Sequence, residues 1–162
     1  MITTRLLNNA IHTELKPHGF QRKGSNWYLS SEQVIVVLNL QRSQYSATYF
    51  LNLGFWLQQI EHIDFPGEHQ CHIRTRASSL WPEGTHRPEE GPPRIADLLS
   101  IDDYPCNEGQ RLERIRQFVA EKLVPTLKAG VSVEGLKQLL EEQDGFLIML
   151  VARDTLGLPL PD

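Results

Sequence analysis

The chain has 162 residues, of which 40% are hydrophobic and 22% charged, and a net charge of -4. This fits one soluble globular domain spanning residues 1–162, long enough to bury about two thirds of its unfolded surface. The acidic balance argues against a general polyanion binder. No apolar run approaches bilayer-spanning length, and the N-terminus lacks the apolar core of a secretion signal, so cytoplasmic residence is expected.

Residues 3–15 predict an amphipathic helix, with Leu6, Leu7, Ala10, Ile11 and Leu15 on one face and Thr3 or Thr4 supplying the cap oxygen. Pro17 and Gly19 stop it. Arg22, Lys23 and Gly24 read as a basic turn before a short strand at 27–29. A second strand follows at 34–41. Its Val34, Val36, Leu38 and Leu40 face is apolar throughout, whereas the opposite face changes from Ile35 and Val37 to Asn39 and Gln41. A polar connection at 42–47 leads to a third strand at 48–57, where Tyr49, Leu51, Leu53, Phe55 and Leu57 share a face. If the two pair with their apolar faces together, Asn39 and Asn52 lie on the same side.

Residues 58–70 read as an exposed loop. Residues 71–77 then alternate as a fourth strand, with Cys71, Ile73, Thr75 and Ala77 on one face and His72, Arg74 and Arg76 on the other. Residues 82–93 carry the breaking residues of an irregular loop, and 94–104 suit either a short helix or an edge strand. From Asn107, a cap followed by Leu112, Ile115, Phe118, Val119 and Leu123 predicts a helix that Pro125 kinks or ends. Ser132 caps a further helix that stops near Gly145. Residues 146–156 read as a last buried helix, although their apolar run also suits a strand. Strands grouped and helices grouped predict an α+β fold: an N-terminal helix, an antiparallel sheet of about four strands, and C-terminal helices packed on one sheet face.

The run L-K-P-x-G-F-x-R-K-G at 15–24, N-L-Q-x-S-x-Y-S at 39–46 and C-H-I-R-T-R at 71–76 resembles a bacterial family known only as a domain of unknown function. The resemblance covers roughly the first half of the chain. It supports the fold reading and implies no established activity.

No reaction-specific motif is present. The strongest constellation is the polar sheet face: Asn39, Gln41, Asn52, His72, Arg74 and Arg76, joined by Arg22, Lys23 and Arg42 from the turns. Amides and guanidinium groups are forks of donors that suit carboxylate or phosphate oxygens. The same residues also read as the wetted side of an antiparallel sheet. A second cluster, His62, Asp64, Glu68, His69, Cys71 and His72, has zinc-type donors, but adjacent strand residues point to opposite faces and the spacing matches no metal motif. Cys71 beside His72 and Cys106 after Pro105 are thiols without a complete catalytic set, and the two cysteines are expected to be reduced. Tyr28, Tyr45, Tyr49, Trp27 and Trp56 could stack bases, but they are split between faces, which disfavours nucleic acid.

The expectation is a non-enzymatic binding or interaction module that recognises an anionic small molecule or a protein partner. Arg42, Arg74 and Arg76 would supply charge, and Asn39, Gln41, Asn52 and His72 orientation. No catalytic residue, cofactor or metal ligand is assigned. The alternative is a small metal-dependent hydrolase centred on the His-rich loop.

Overall fold

The Thr3 hydroxyl accepts the Leu6 backbone N–H at 3.2 Å and so opens helix α1, Thr4–Leu15. The protein is described by a computed structural model covering residues 2–161. Leu7, Ala10, Ile11 and Leu15 of α1 are buried at helical spacing. Leu6 stays outside this face, and Asn8 turns inward instead, its amide donating to the Thr4 carbonyl at 2.8 Å. A 3-10 turn through Pro17 ends at Gly19, whose φ of 85° is left-handed and suits glycine.

Six strands form one antiparallel sheet in chain order: β1 Gln21–Lys23, β2 Asn26–Ser30, β3 Val34–Arg42, β4 Tyr49–Leu57, β5 Ile73–Arg76 and β6 Leu147–Ile148. The count exceeds the expected four because β1 carries no alternation and β6 falls in a stretch read first as a helix, with a strand as the alternative. The predicted basic turn at Arg22 and Lys23 is one arm of a hairpin, with Lys23 opposite Asn26 and the chain reversing at Gly24. All three β1 residues are exposed, so they have no inside–outside alternation to reveal a strand. β6 is two residues long and pairs with β5, more than seventy residues earlier.

After β5 the chain is mostly helical. The helices are α2 Ala77–Leu80, α3 Ile95–Leu98, α4 Glu108–Phe118, α5 Val124–Ala129, α6 Val133–Glu142 and α7 Leu150–Leu156. The 94–104 segment is thus resolved as a helical turn, and 146–156 divides into a strand and a helix. Between α4 and α5 lies a π turn, Val119–Leu123. Its cause is local. Pro125 has no N–H to give the Glu121 carbonyl, and the Val124 N–H bonds five residues back to Val119.

The main core joins the Val34, Val36, Leu38 and Leu40 face of β3, and the Leu51, Leu53 and Phe55 face of β4, to Leu7 and Ile11 of α1 and Ile115, Leu127 and Leu136 of the later helices. A second, smaller cluster covers half of the opposite sheet face: Tyr28, Ile35, Val37, Trp56 and Cys71, with Ile63 against it. Burying each large side chain there contributes about 1.5–3 kcal/mol. This cluster refines the reading of 58–70 as an exposed loop: most of its residues are exposed, but Pro66 and Glu68 are buried and Ile63 packs on the cluster. The segment lies along the sheet, with Trp56 Nε1 donating to the Glu61 carbonyl at 2.7 Å and the Tyr28 hydroxyl to the Pro66 carbonyl at 3.0 Å. The other half of this face stays open and polar.

Candidate functional site

On the open half, the register sets four polar residues side by side. Asn26 faces Asn39 across β2 and β3, Asn39 faces Asn52 across β3 and β4, and Asn52 faces Arg76 across β4 and β5. Directly opposite residues share a face, so these four form one row across four strands. Their hydrogen bonds run head to tail. Arg76 Nε donates to Asn52 Oδ1 at 2.9 Å, Asn52 Nδ2 donates to Asn39 Oδ1 at 3.1 Å, and Asn39 Nδ2 donates to Asn26 Oδ1 at 2.7 Å. Asn52 Nδ2 also reaches Gln41 Oε1 at 2.9 Å. At the far end Asn26 Nδ2 donates to the Tyr28 hydroxyl at 3.3 Å, whose own proton goes to Pro66. Bonds aligned in one direction polarise one another, which stiffens the row.

The arginine end of the row opens into a pocket of about 330 Å³. Gln41, Asn52, Arg74 and Arg76 line it from the sheet, and Ser79, Gly145 and Leu147 form its rim. The two arginines differ in their commitments. Arg74 forks onto Glu68, with Nε to Oε1 at 3.0 Å and Nη2 to Oε2 at 3.2 Å, and the Glu68 side chain is only 8% exposed. Gly54 makes this possible. A Cβ at Gly54 would lie 2.7 Å from Cys71 Sγ and 3.3 Å from Glu68 Cγ, so only glycine lets the Glu68–Gln70 turn rest on the sheet.

Arg76 is exposed but fixed. Its Nε is held by Asn52, its guanidinium lies 4.3 Å from the centroid of the Phe50 ring, and among the described residues it has no carboxylate partner. Its Nη edge is therefore an oriented, uncommitted cationic donor.

The predicted residues separate on this geometry. Gln41, Asn52, Arg74 and Arg76 come together at the pocket, and Asn39 stands behind Asn52 in the row. Arg42 does not join them. It ends β3 opposite Tyr49, on the strand parity of the main core, where it is exposed. His72 is also elsewhere, because β5 begins at Ile73 rather than at Cys71. Its Nδ1 accepts the Leu57 N–H at 2.9 Å, and its ring stacks on Trp56 with centroids 4.1 Å apart. Burial pushes the His72 pKa down, consistent with a neutral imidazole. Arg22 and Lys23 lie over the rings of Trp27 and Phe65, in the β1 hairpin and the covering segment.

Cys71 packs above Gly54 on the polar-row side, not beside Ile73 as simple alternation implied. Burial first, and the nearby Glu68 second, push its thiol up to about 12, which leaves it protonated at neutral pH. The His-rich segment does not converge: His62 and His69 are exposed, and among the described residues no three His, Cys, Asp or Glu side chains gather as metal ligands.

Asn26, Ser79, Gly145 and Leu147 are site residues that sequence reasoning missed, and Glu68 was read only as a member of the His-rich cluster, not as the partner of Arg74. A signal for Asn26 exists, since each asparagine in the row lies thirteen residues from the next. Glu68 had no comparable signal, because its role depends on the turn that Gly54 admits.

No helix among the described residues is long and apolar enough to cross a membrane. No curated protein and no solved structure matches the chain. A family match does exist, over residues 11–129, and it includes all four residues of the polar row. The chain belongs to the family described as a domain of unknown function (DUF4304).

Proposed function

We propose that this protein is a non-enzymatic binding module that receives an anionic or polar partner in the pocket at the end of the amide row. The observation that carries the reading is Arg76, an exposed guanidinium held at its Nε and on its ring face, with its outer edge free of protein partners among the described residues. An ordinary surface arginine loses side-chain entropy when it binds. One already held in place loses less, so more of its interaction energy appears as affinity. Gln41 and Asn52 act as positioning residues. Arg74 and Glu68 form a paired wall beside the bound group, and Asn39 braces Asn52. Arg42 and His72 take no part.

The test is amide NMR on the full chain with acetate, inorganic phosphate and an Asp- and Glu-rich peptide. At least one should shift the resonances of Gln41, Asn52, Arg76 and Ser79 together, and Arg76→Ala should suppress the response. Shifts confined to other surfaces, or a response unchanged in Arg76→Ala, would refute the reading.

A further inference from the structure

We infer that the ligand of this pocket presents a single carboxylate followed by an apolar group, an inference that rests on the binding reading above. Charge is the first argument. Arg74 and Glu68 neutralise each other through their fork, leaving Arg76 as the pocket's one unbalanced charge, with the Glu68 carboxylate close by. A monoanion matches that balance. A phosphate dianion would bring a second charge that has no partner and faces Glu68.

Donor geometry is the second argument. With Nε committed to Asn52, the guanidinium offers its Nη edge, a planar pair of donors that matches the two oxygens of a carboxylate. Gln41 uses its oxygen to accept from Asn52, which leaves its amide nitrogen as a further donor at the same wall. The Ser79 hydroxyl at the rim also has no protein partner among the described residues.

The third argument is the apolar rim. Leu147 is opposite Arg74 in the β5–β6 register, on the open face, and is 71% exposed. Two residues earlier on that strand side comes Gly145, whose carbonyl accepts the Thr75 hydroxyl at 2.7 Å and which places no side chain beside Arg76. The gap at Gly145 gives room for the acid, and Leu147 gives its tail a surface. A volume of about 330 Å³ is at the small end for a ligand pocket. A free aliphatic or aromatic acid and the C-terminus of a protein ending in an apolar residue share this chemistry.

The experiment is isothermal titration of the full chain with hexanoate, hexanamide, inorganic phosphate and a Gly-Gly-Leu peptide as free acid and as C-terminal amide. Hexanoate or the free-acid peptide should bind at least about tenfold more tightly than its amide counterpart, and the tighter of the two identifies the source. Arg76→Ala, checked for fold by circular dichroism, should weaken that binding about tenfold or more. Leu147→Glu changes an exposed rim residue, spares the core and should weaken hexanoate by a similar factor. Phosphate binding as tightly as hexanoate, through Arg76, would overturn the carboxylate inference while leaving the anion-binding reading intact. Equal affinity for acid and amide would also overturn it, and silence from every probe would overturn both.

Discussion

Asn52→Ala is the most informative single change, because Asn52 is the node of the polar row and only 4% exposed. The substitution removes two bonds given to amide oxygens, at Asn39 and Gln41, and one accepted from the Arg76 guanidinium. Each neutral bond contributes about 1 kcal/mol net and the charge-assisted one about 1.5 kcal/mol or more. Gln41 and Arg76 are exposed and can turn to water, so the penalty of unsatisfied partners is only partly incurred. The expected loss is therefore about 2–3 kcal/mol, read as a lower urea midpoint at unchanged m-value. A double-mutant cycle with Arg76→Ala should show the pair costing less than the two changes added together, by about 1 kcal/mol. A loss below about 0.5 kcal/mol, the level of ordinary surface changes, would refute the claim that the row holds the face together. Additive behaviour of the pair would refute the claim that Asn52 holds Arg76.

Two further outcomes test the supports of the site. Gly54→Ala should cost about 1–3 kcal/mol by lifting the Glu68–Gln70 turn, and should expose Cys71, whose thiol is shielded in the native fold, to labelling by Ellman's reagent; unchanged stability and a still-silent Cys71 would show that the turn does not depend on the glycine. Asp97 is buried and forked by Arg94 at 2.8 and 3.0 Å, and that bonding holds its carboxyl below the ordinary aspartate value of about 3.9. Its stabilising contribution is complete above that value and is lost as pH falls through the depressed folded pKa, so the melting-temperature gap between wild type and Asp97→Asn should close in acid, and a gap constant with pH would contradict the assignment.

What was legible in the sequence was what alternation encodes. The apolar parity of residues 34–41 and 48–57 anticipated β3 and β4 to within a residue or two, and placed Asn39 and Asn52 on one face, where the register sets them opposite each other. The residues that escaped depend on partners distant in sequence. β6 exists only because β5 offers it an edge. Arg111 reads as one more charge on a solvated helix, yet it is 2% exposed, with its guanidinium donating to the carbonyls of Asp97, Leu98, Ser100 and Tyr104. Nothing periodic in α4 announces that a loop of carbonyls will close around that position. His72 escaped for a smaller reason: it precedes β5 and meets Trp56 at the covered half of the face, away from the open half that holds Arg76.

The same distinction decides which arginine keeps a free donor edge. Arg74 and Arg76 are two residues apart on β5, of one chemical type and on one face, so their strand positions alone make them equivalent. They are separated by a residue on another strand. The missing side chain at Gly54, directly opposite Arg74, lets the Glu68–Gln70 turn settle onto the sheet and delivers the Glu68 carboxylate to Arg74. Opposite Arg76 stands Asn52, whose side chain can fix a guanidinium through one oxygen without neutralising it. A face that its sequence presents as doubly cationic is thereby reduced to one unpaired charge, held at its Nε by Asn52 and against the Phe50 ring, with its Nη edge free of protein partners among the described residues.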